Sequence, residues 1–153
     1  VGPPPAFSLP VPDTTVSKAA LAAPHHDYPA SDLMVPGGTP VFAVRTGRVR
    51  VHAGERCGVG VTLVGDDGFS YLYCHLALAA VKTGSRVAAA DVLGLSGDSG
   101  NARGVPHLHF QVRDRAGRSR CPQRMLLAWY GGADVPSTAA PVAGCWFPRD
   151  RAA

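Results

Sequence analysis

Short apolar runs interrupted by glycine and proline set the pattern of this chain. Residues 41–44 read as a strand, Gly47 breaks it, and a second strand follows over 48–52. Residues 59–64 and 69–76 flank Gly65-Asp66-Asp67-Gly68, which is a strong hairpin signal. Successive side chains of a strand point to opposite faces. The second hairpin strand therefore places Tyr71, Tyr73 and His75 on one polar-aromatic face, suited to lining a groove, with Leu72, Cys74 and Leu76 on the other. Two more short strands are predicted over 82–87 and 92–95. A glycine-rich loop over 97–104 then enters a strand over 107–112. Here His107, His109 and Gln111 share one face, while Leu108, Phe110 and Val112 point to the core. One good helix is predicted, over 122–130: Pro122 takes its first position, Met125, Leu126, Leu127 and Trp129 are apolar, and Gly131-Gly132 ends it. The fold class is mostly β, with few helices.

At 153 residues the chain is long enough for a single domain with a real core. Residues 1–23 carry many prolines and little periodicity, and read as an extended lead-in along the domain edge with Phe7 and Leu9 as anchors, a linker to an upstream segment being the alternative. The domain itself is assigned to 24–153: a motif-bearing part over about 24–113, then the helix and tail over 114–153. The start, Val1-Gly2-Pro3-Pro4-Pro5, looks like a mature or trimmed terminus, so the lack of a visible signal peptide says little.

Charge changes the picture modestly. A net charge of +4 and a pI near 9.1 suit an anionic partner such as a cell-wall polymer. Aromatic residues are only 7% of the chain and no run of Lys and Arg forms a stripe, which argues against nucleic acid. No apolar run is long enough to insert stably in a membrane, and nothing calls for an obligate dimer.

The four cysteines, Cys57, Cys74, Cys121 and Cys145, form no Cys-x-x-Cys pair, which disfavours a zinc knuckle. Of the three possible connectivities, sequential pairing is expected. Cys57 and Cys74 flank the predicted hairpin, and Cys121 and Cys145 bracket the C-terminal segment. Disulfides of this kind imply an oxidising, extracytoplasmic setting; four buried thiols in a cytosolic protein are the competing reading.

Candidate chemistry comes from three separated segments: His25 and His26 with Asp32, then His75, then His107 with His109. An isolated His-x-His is more often two surface histidines than a site. Joined with the other segments, it offers what a catalytic zinc needs: two imidazoles and a carboxylate, with the fourth position left to water. Zinc lowers the pKa of such a water toward about 7, and further histidines can take its proton and stabilise an oxyanion. His52 stands outside these segments and reads as a surface residue.

Three stretches carry a resemblance. They are the His…Asp segment entering Val35-Pro36-Gly37-Gly38-Thr39-Pro40-Val41-Phe42-Ala43-Val44, then Tyr71-Leu72-Tyr73-Cys74-His75-Leu76, then residues 94–110 ending in Val105-Pro106-His107-Leu108-His109-Phe110. In this order and spacing, over about residues 24–113, the chain resembles the lysostaphin/LytM-type zinc metallopeptidases. The resemblance implies a compact antiparallel β-sheet, sandwich-like, with zinc in a groove. It implies Asp32 and His109 as zinc ligands together with a histidine of the first motif, and His75 and His107 as the catalytic pair. It further implies a secreted or periplasmic endopeptidase that hydrolyses peptide bonds in peptidoglycan stem peptides or cross-bridges.

Two departures from the family pattern stand out. The usual first motif is His-x-x-x-Asp, but Tyr28 stands four residues before Asp32. His25 and His26 lie further back; His25, seven before Asp32, has the spacing of the related D-Ala-D-Ala-type zinc peptidases and is the preferred ligand, with His26 the alternative. Gln111 stands where the family often carries Glu, and is expected to orient a ligand by hydrogen bonding. The irregular first motif also leaves a second reading, a non-catalytic relative that binds cell wall or activates an amidase.

Overall fold

The computed structural model describes residues 2–147; the first residue and the end of the expected tail, 148–153, lie outside the described residues. Among the described residues nine strands form one antiparallel sheet. They are β1 (Ser31–Leu33), β2 (Pro40–Phe42), β3 (Gly47–Gly54), β4 (Gly58–Gly65), β5 (Ser70–Ala79), β6 (Arg86–Val87), β7 (Val92–Ser96), β8 (Leu108–Arg113) and β9 (Ser119–Arg120). The main path runs β1-β8-β5-β4-β3-β6, with β7 bridging β2 and β5, and β9 on β8.

The predicted hairpin is β4–β5, with Leu63 opposite Tyr71 and Val64 opposite Ser70. Its turn closes through Gly65 and Gly68, and Gly68 adopts a positive φ that a side chain would resist. The predicted helix is α2 (Gln123–Tyr130), with Pro122 just before it and the Gly131 N–H capping it on the Leu127 carbonyl. Its buried residues Met125, Leu126 and Trp129 join Leu33, Leu63, Tyr71, Tyr73, Leu108 and Phe110 in the core. Both disulfides form as expected, Cys57–Cys74 and Cys121–Cys145.

Two expectations are corrected. The lead-in is not extended throughout: residues Lys18–Ala22 form a helical turn, α1, because Ser17 caps it by accepting from Ala20 N–H at 3.1 Å. It does pack along the domain as expected, with Phe7 and Leu9 against the core. Val11 and Leu21 are buried in the core, and Phe7 stacks on Trp129 with ring centroids 5.8 Å apart. A Ser-Lys-Ala-Ala-Leu run supplies the helix signal that the surrounding prolines obscure.

The second correction concerns β5. Tyr71 and Tyr73 do not line a groove; both are fully buried in the core beside Phe110. The opposite face carries Leu72 and Cys74, which pair with Gln111 and His109 of β8. His75 leaves the Tyr71–Tyr73 face because its backbone is left-handed, at φ 68°. A bulge accompanies it: β4 advances from Val59 to Val61 while β5 advances from Leu76 back to Tyr73. The extra residue turns His75 to the side of Cys74 and returns Leu76 to the core.

Candidate active site

A groove of about 620 Å³ lies on the β5–β8 face, lined by His25, Asp32, His75, His107 and His109 among others. Sheet register makes its centre. β1 runs antiparallel to β8 and sets Asp32 directly opposite His109, so the carboxylate and imidazole meet with Asp32 Oδ1 2.7 Å from His109 Nδ1. On its other side Asp32 presents Oδ2 to His25 Nε2 at 3.3 Å. One donor atom from each of His25, Asp32 and His109 lies within 4.8 Å of the others.

The two candidate histidines of the first segment separate clearly. His25 is buried and reaches Asp32, whereas His26 is exposed, stacks on the His25 ring and faces Asp27 at 3.1 Å. His25 Nδ1 accepts a long hydrogen bond from the Asp27 N–H at 3.3 Å.

Hydrogen bonds fix which ring nitrogens face the centre. Gln111 Oε1 accepts from His109 Nε2–H at 2.9 Å, which leaves Nδ1 as the nitrogen turned to Asp32. Tyr28 Oη also lies 3.3 Å from His109 Nε2. His75 Nδ1 donates to the Ser99 carbonyl at 2.8 Å, and His107 Nδ1 donates to the Val105 carbonyl at 2.8 Å. Both rings thus keep Nε2 as an acceptor. Their centroids are 4.7 Å apart, and His107 Nε2 lies 3.7 Å from Asp32 Oδ1.

Electrostatics follow from burial and neighbours. Burial lowers the pKa of His25, against the pull of Asp32. Burial likewise lowers His75, and the nearby His107 and His109 add to it, more than the Ser99 hydrogen bond offsets. For Asp32 burial pushes upward, but the His109 hydrogen bond and the surrounding imidazoles outweigh it and hold the carboxyl below its ordinary value. An ionised carboxylate between two imidazoles is the donor set that zinc takes, and the short approach of the three ligand atoms fits a single ion.

The loop that orients His75 depends on two glycines. Gly58 and Gly100 both have positive φ, and their backbones lie against each other. A Cβ on Gly100 would strike the Arg56 carbonyl and Gly58 nitrogen; one on Gly58 would strike Ser99 and Gly100. This close approach brings the Ser99 carbonyl onto His75. Ser99 and Tyr28 are site residues that sequence reasoning does not pick out. The glycine-flanked Gly97-Asp98-Ser99-Gly100 run is the signal that points to the first, and the place of Tyr28 four residues before Asp32, where the motif usually has histidine, is the signal for the second.

Comparison with known proteins identifies the family. A family model described as Peptidase family M23 matches residues 27–121. The chain is 39% identical over 83 residues to the glycyl-glycine endopeptidase ALE-1 of Staphylococcus capitis, covering 52% of this chain and 23% of that protein. It is 36% identical over 92 residues to the peptidoglycan DD-endopeptidase ShyA of Vibrio cholerae, covering 59% of this chain and 20% of that protein. The chain therefore spans about a quarter or less of these relatives. Among solved structures, the catalytic domain of the antimicrobial peptidase lysostaphin from Staphylococcus simulans is 30% identical with a TM-score of 0.58, covering 67% of this chain and 88% of that one. A zinc-containing peptidase from Vibrio cholerae is 27% identical with a TM-score of 0.65, covering 76% of this chain and 39% of that one. His25 precedes the segment that the family model matches.

Proposed function

Because the chain belongs to peptidase family M23, we propose that it is a zinc-dependent endopeptidase that hydrolyses peptide bonds in peptidoglycan stem peptides or cross-bridges. The observation that carries this reading is the convergence of His25, Asp32 and His109 donor atoms beside the paired rings of His75 and His107. His25, Asp32 and His109 would hold the metal. When bound, zinc supplies a Lewis acid that polarises the scissile carbonyl and acidifies water.

The chain's own groups do the rest. Nε2 of His75 or His107, left free by the backbone bond on each Nδ1, takes a proton from the attacking water. The resulting imidazolium sits within reach of the developing oxyanion and returns the proton to the leaving amine. Asp32, ionised between imidazoles, balances the positive charge that accumulates during this cycle. Gln111 holds His109 in one tautomer throughout.

Relatives named for cutting glycyl-glycine and DD-peptide bonds support a cell-wall substrate. Two disulfides support an extracytoplasmic location. The basic charge suits an anionic wall. Among the described residues no helix is long and apolar enough to cross a membrane. The test is digestion of purified peptidoglycan with and without a zinc chelator, with fragments read by mass spectrometry. Chelator-sensitive release of peptide fragments from intact glycan is expected and names the bond. No release from protein carrying one zinc would instead favour the non-catalytic binder.

A further inference from the structure

His25 is the one proposed ligand on a segment without regular secondary structure: Asp32 and His109 lie on β1 and β8. What holds it is a pair of main-chain hydrogen bonds to the C-terminal tail. The His25 N–H donates to the Cys145 carbonyl at 3.3 Å, and the His25 carbonyl accepts from the Phe147 N–H at 2.9 Å. Together they make an isolated parallel bridge between His25 and Trp146. The tail is itself anchored. Cys145 is bonded to Cys121, two residues before α2, and the Cys121 N–H donates to the Pro141 carbonyl at 2.6 Å. The ends of the His25 segment are gripped from the same helix: buried Gln123 donates from Nε2 to the Ala23 carbonyl at 3.2 Å and the Ala30 carbonyl at 2.7 Å. Both partners of the bridge, His25 and the tail beyond Cys145, fall outside the segment that matches the family model.

We infer that the C-terminal tail, clipped by Cys121–Cys145, is a positioning element that holds His25 in the zinc site through these two backbone bonds. The inference rests on the zinc reading above. Its physical basis is the entropy of a loop ligand: a histidine on a free loop must be ordered at the moment the metal binds, whereas a tethered one is ordered beforehand. Losing one such bond, worth about 1 kcal/mol net, is a change of about fivefold in affinity.

The test separates the backbone bond from the side chain. Zinc affinity is measured by competition with a chromophoric chelator on the full chain and on three variants, at a temperature where circular dichroism shows each to be folded. Phe147→Pro removes the donor to the His25 carbonyl and is expected to raise the zinc Kd about fivefold. Phe147→Ala keeps the donor and is expected to stay within twofold of the parent chain. The double variant Cys121→Ser/Cys145→Ser frees the tail and is expected to weaken zinc at least as much as Phe147→Pro. A role confined to stability would lower the melting temperature of the zinc-free variants without this ordering of Kd values. Equal affinities for Phe147→Pro and Phe147→Ala would overturn the inference. A parent chain that binds no zinc would overturn the zinc reading itself.

Discussion

The backbone N–H of His75 donates to the carbonyl of Cys57 across 2.7 Å, and the Cys57 side chain is bonded to Cys74, the residue just before His75. The two links bracket a left-handed residue at a strand bulge. A non-glycine residue there carries a cost of roughly 1–3 kcal/mol, so the surroundings must hold it. The Cys57–Cys74 bond is therefore read as a clamp on His75, the proposed proton-transfer group, as well as a stabilising crosslink.

From this follows the effect of Cys57→Ser/Cys74→Ser. Closing a loop of this size contributes about 3 kcal/mol, so the melting temperature should drop markedly. The turnover number should fall at a temperature where the variant is still folded, because His75 loses its fixed orientation. Zinc affinity should change little, since His25, Asp32 and His109 sit on other segments. Thermal melts, kcat on a peptidoglycan peptide and a chelator titration check the three statements separately. An unchanged kcat in folded variant would refute the clamp.

Gln111 offers a second test. Its Oε1 accepts from the buried His109 Nε2–H. Gln111→Leu leaves that donor with only the 3.3 Å contact to Tyr28 and should weaken zinc by about 10- to 100-fold. Gln111→Glu keeps the acceptor, adds charge to it and should bind zinc at least as tightly as the parent chain. The comparison is made by competitive metal titration; two variants of equal affinity would mean that Gln111 does not orient the ring.

Gly100→Ala should be costly for a reason visible in the backbone. Its φ is 70°, and a Cβ would run into main-chain atoms of Arg56 and Gly58 that cannot rotate away. The loss expected is at least about 2 kcal/mol in denaturant unfolding. The Ser99 carbonyl should retreat from His75 with it, so activity in folded variant should fall too. A variant with parental stability would show that the loop yields cheaply.

Most of the sheet is legible in the sequence because its signals are local. The hairpin turn at Gly65–Gly68, the alternation through His107, His109 and Gln111, and the Pro122-to-Gly131 helix limits each lie within a few residues of the element they define. Asp32 opposite His109 is a consequence of register, and the resemblance supplies that pairing where spacing alone does not. The face of His75 is the instructive miss. Strict alternation assigns it with Tyr71 and Tyr73, and nothing in Tyr-Cys-His-Leu announces a positive φ at a histidine. The bulge is set from outside the strand, by the Cys57 bond and the loop at Gly100. The tail contact to His25 is hidden for the same reason: it joins residues at opposite ends of the chain through main-chain atoms that carry no sequence signal.

Stability of the metal-free protein should depend on pH in a direction set by its buried His25 and His75 and its half-buried His52. Burial lowers the pKa of His25, His52 and His75 below 6.5 in the folded chain. Below that value the unfolded chain binds more protons than the folded one, so stability rises with pH through this window and falls on acidification. Asp32, also lowered, adds a further loss as pH drops below 3.8. Urea midpoints measured with chelator present should be steady from pH 8 to about 7 and decline through about pH 6 and 5. A midpoint that rises on acidification in that range would contradict the burial of neutral imidazoles.

Activity should show the same lowering in its acid limb. His75 must be neutral at Nε2 to take a proton from water, and burial first, then His107 and His109, push its pKa below 6.5. Its hydrogen bond to the Ser99 carbonyl works the other way and is outweighed. A divalent cation held by His25, Asp32 and His109 would repel a proton on His75 as well, so metal loading moves the limb further in the same direction. The plot of kcat/KM against pH should therefore stay flat through the ordinary histidine value and bend only on the acid side of it. Moving the Ser99 carbonyl with Gly100→Ala removes the larger of the two influences that favour the charged ring, the other being the Asp32 charge, and should shift the bend to still lower pH. A wild-type limb at or above 6.5 would mean that the group titrating is not the buried His75.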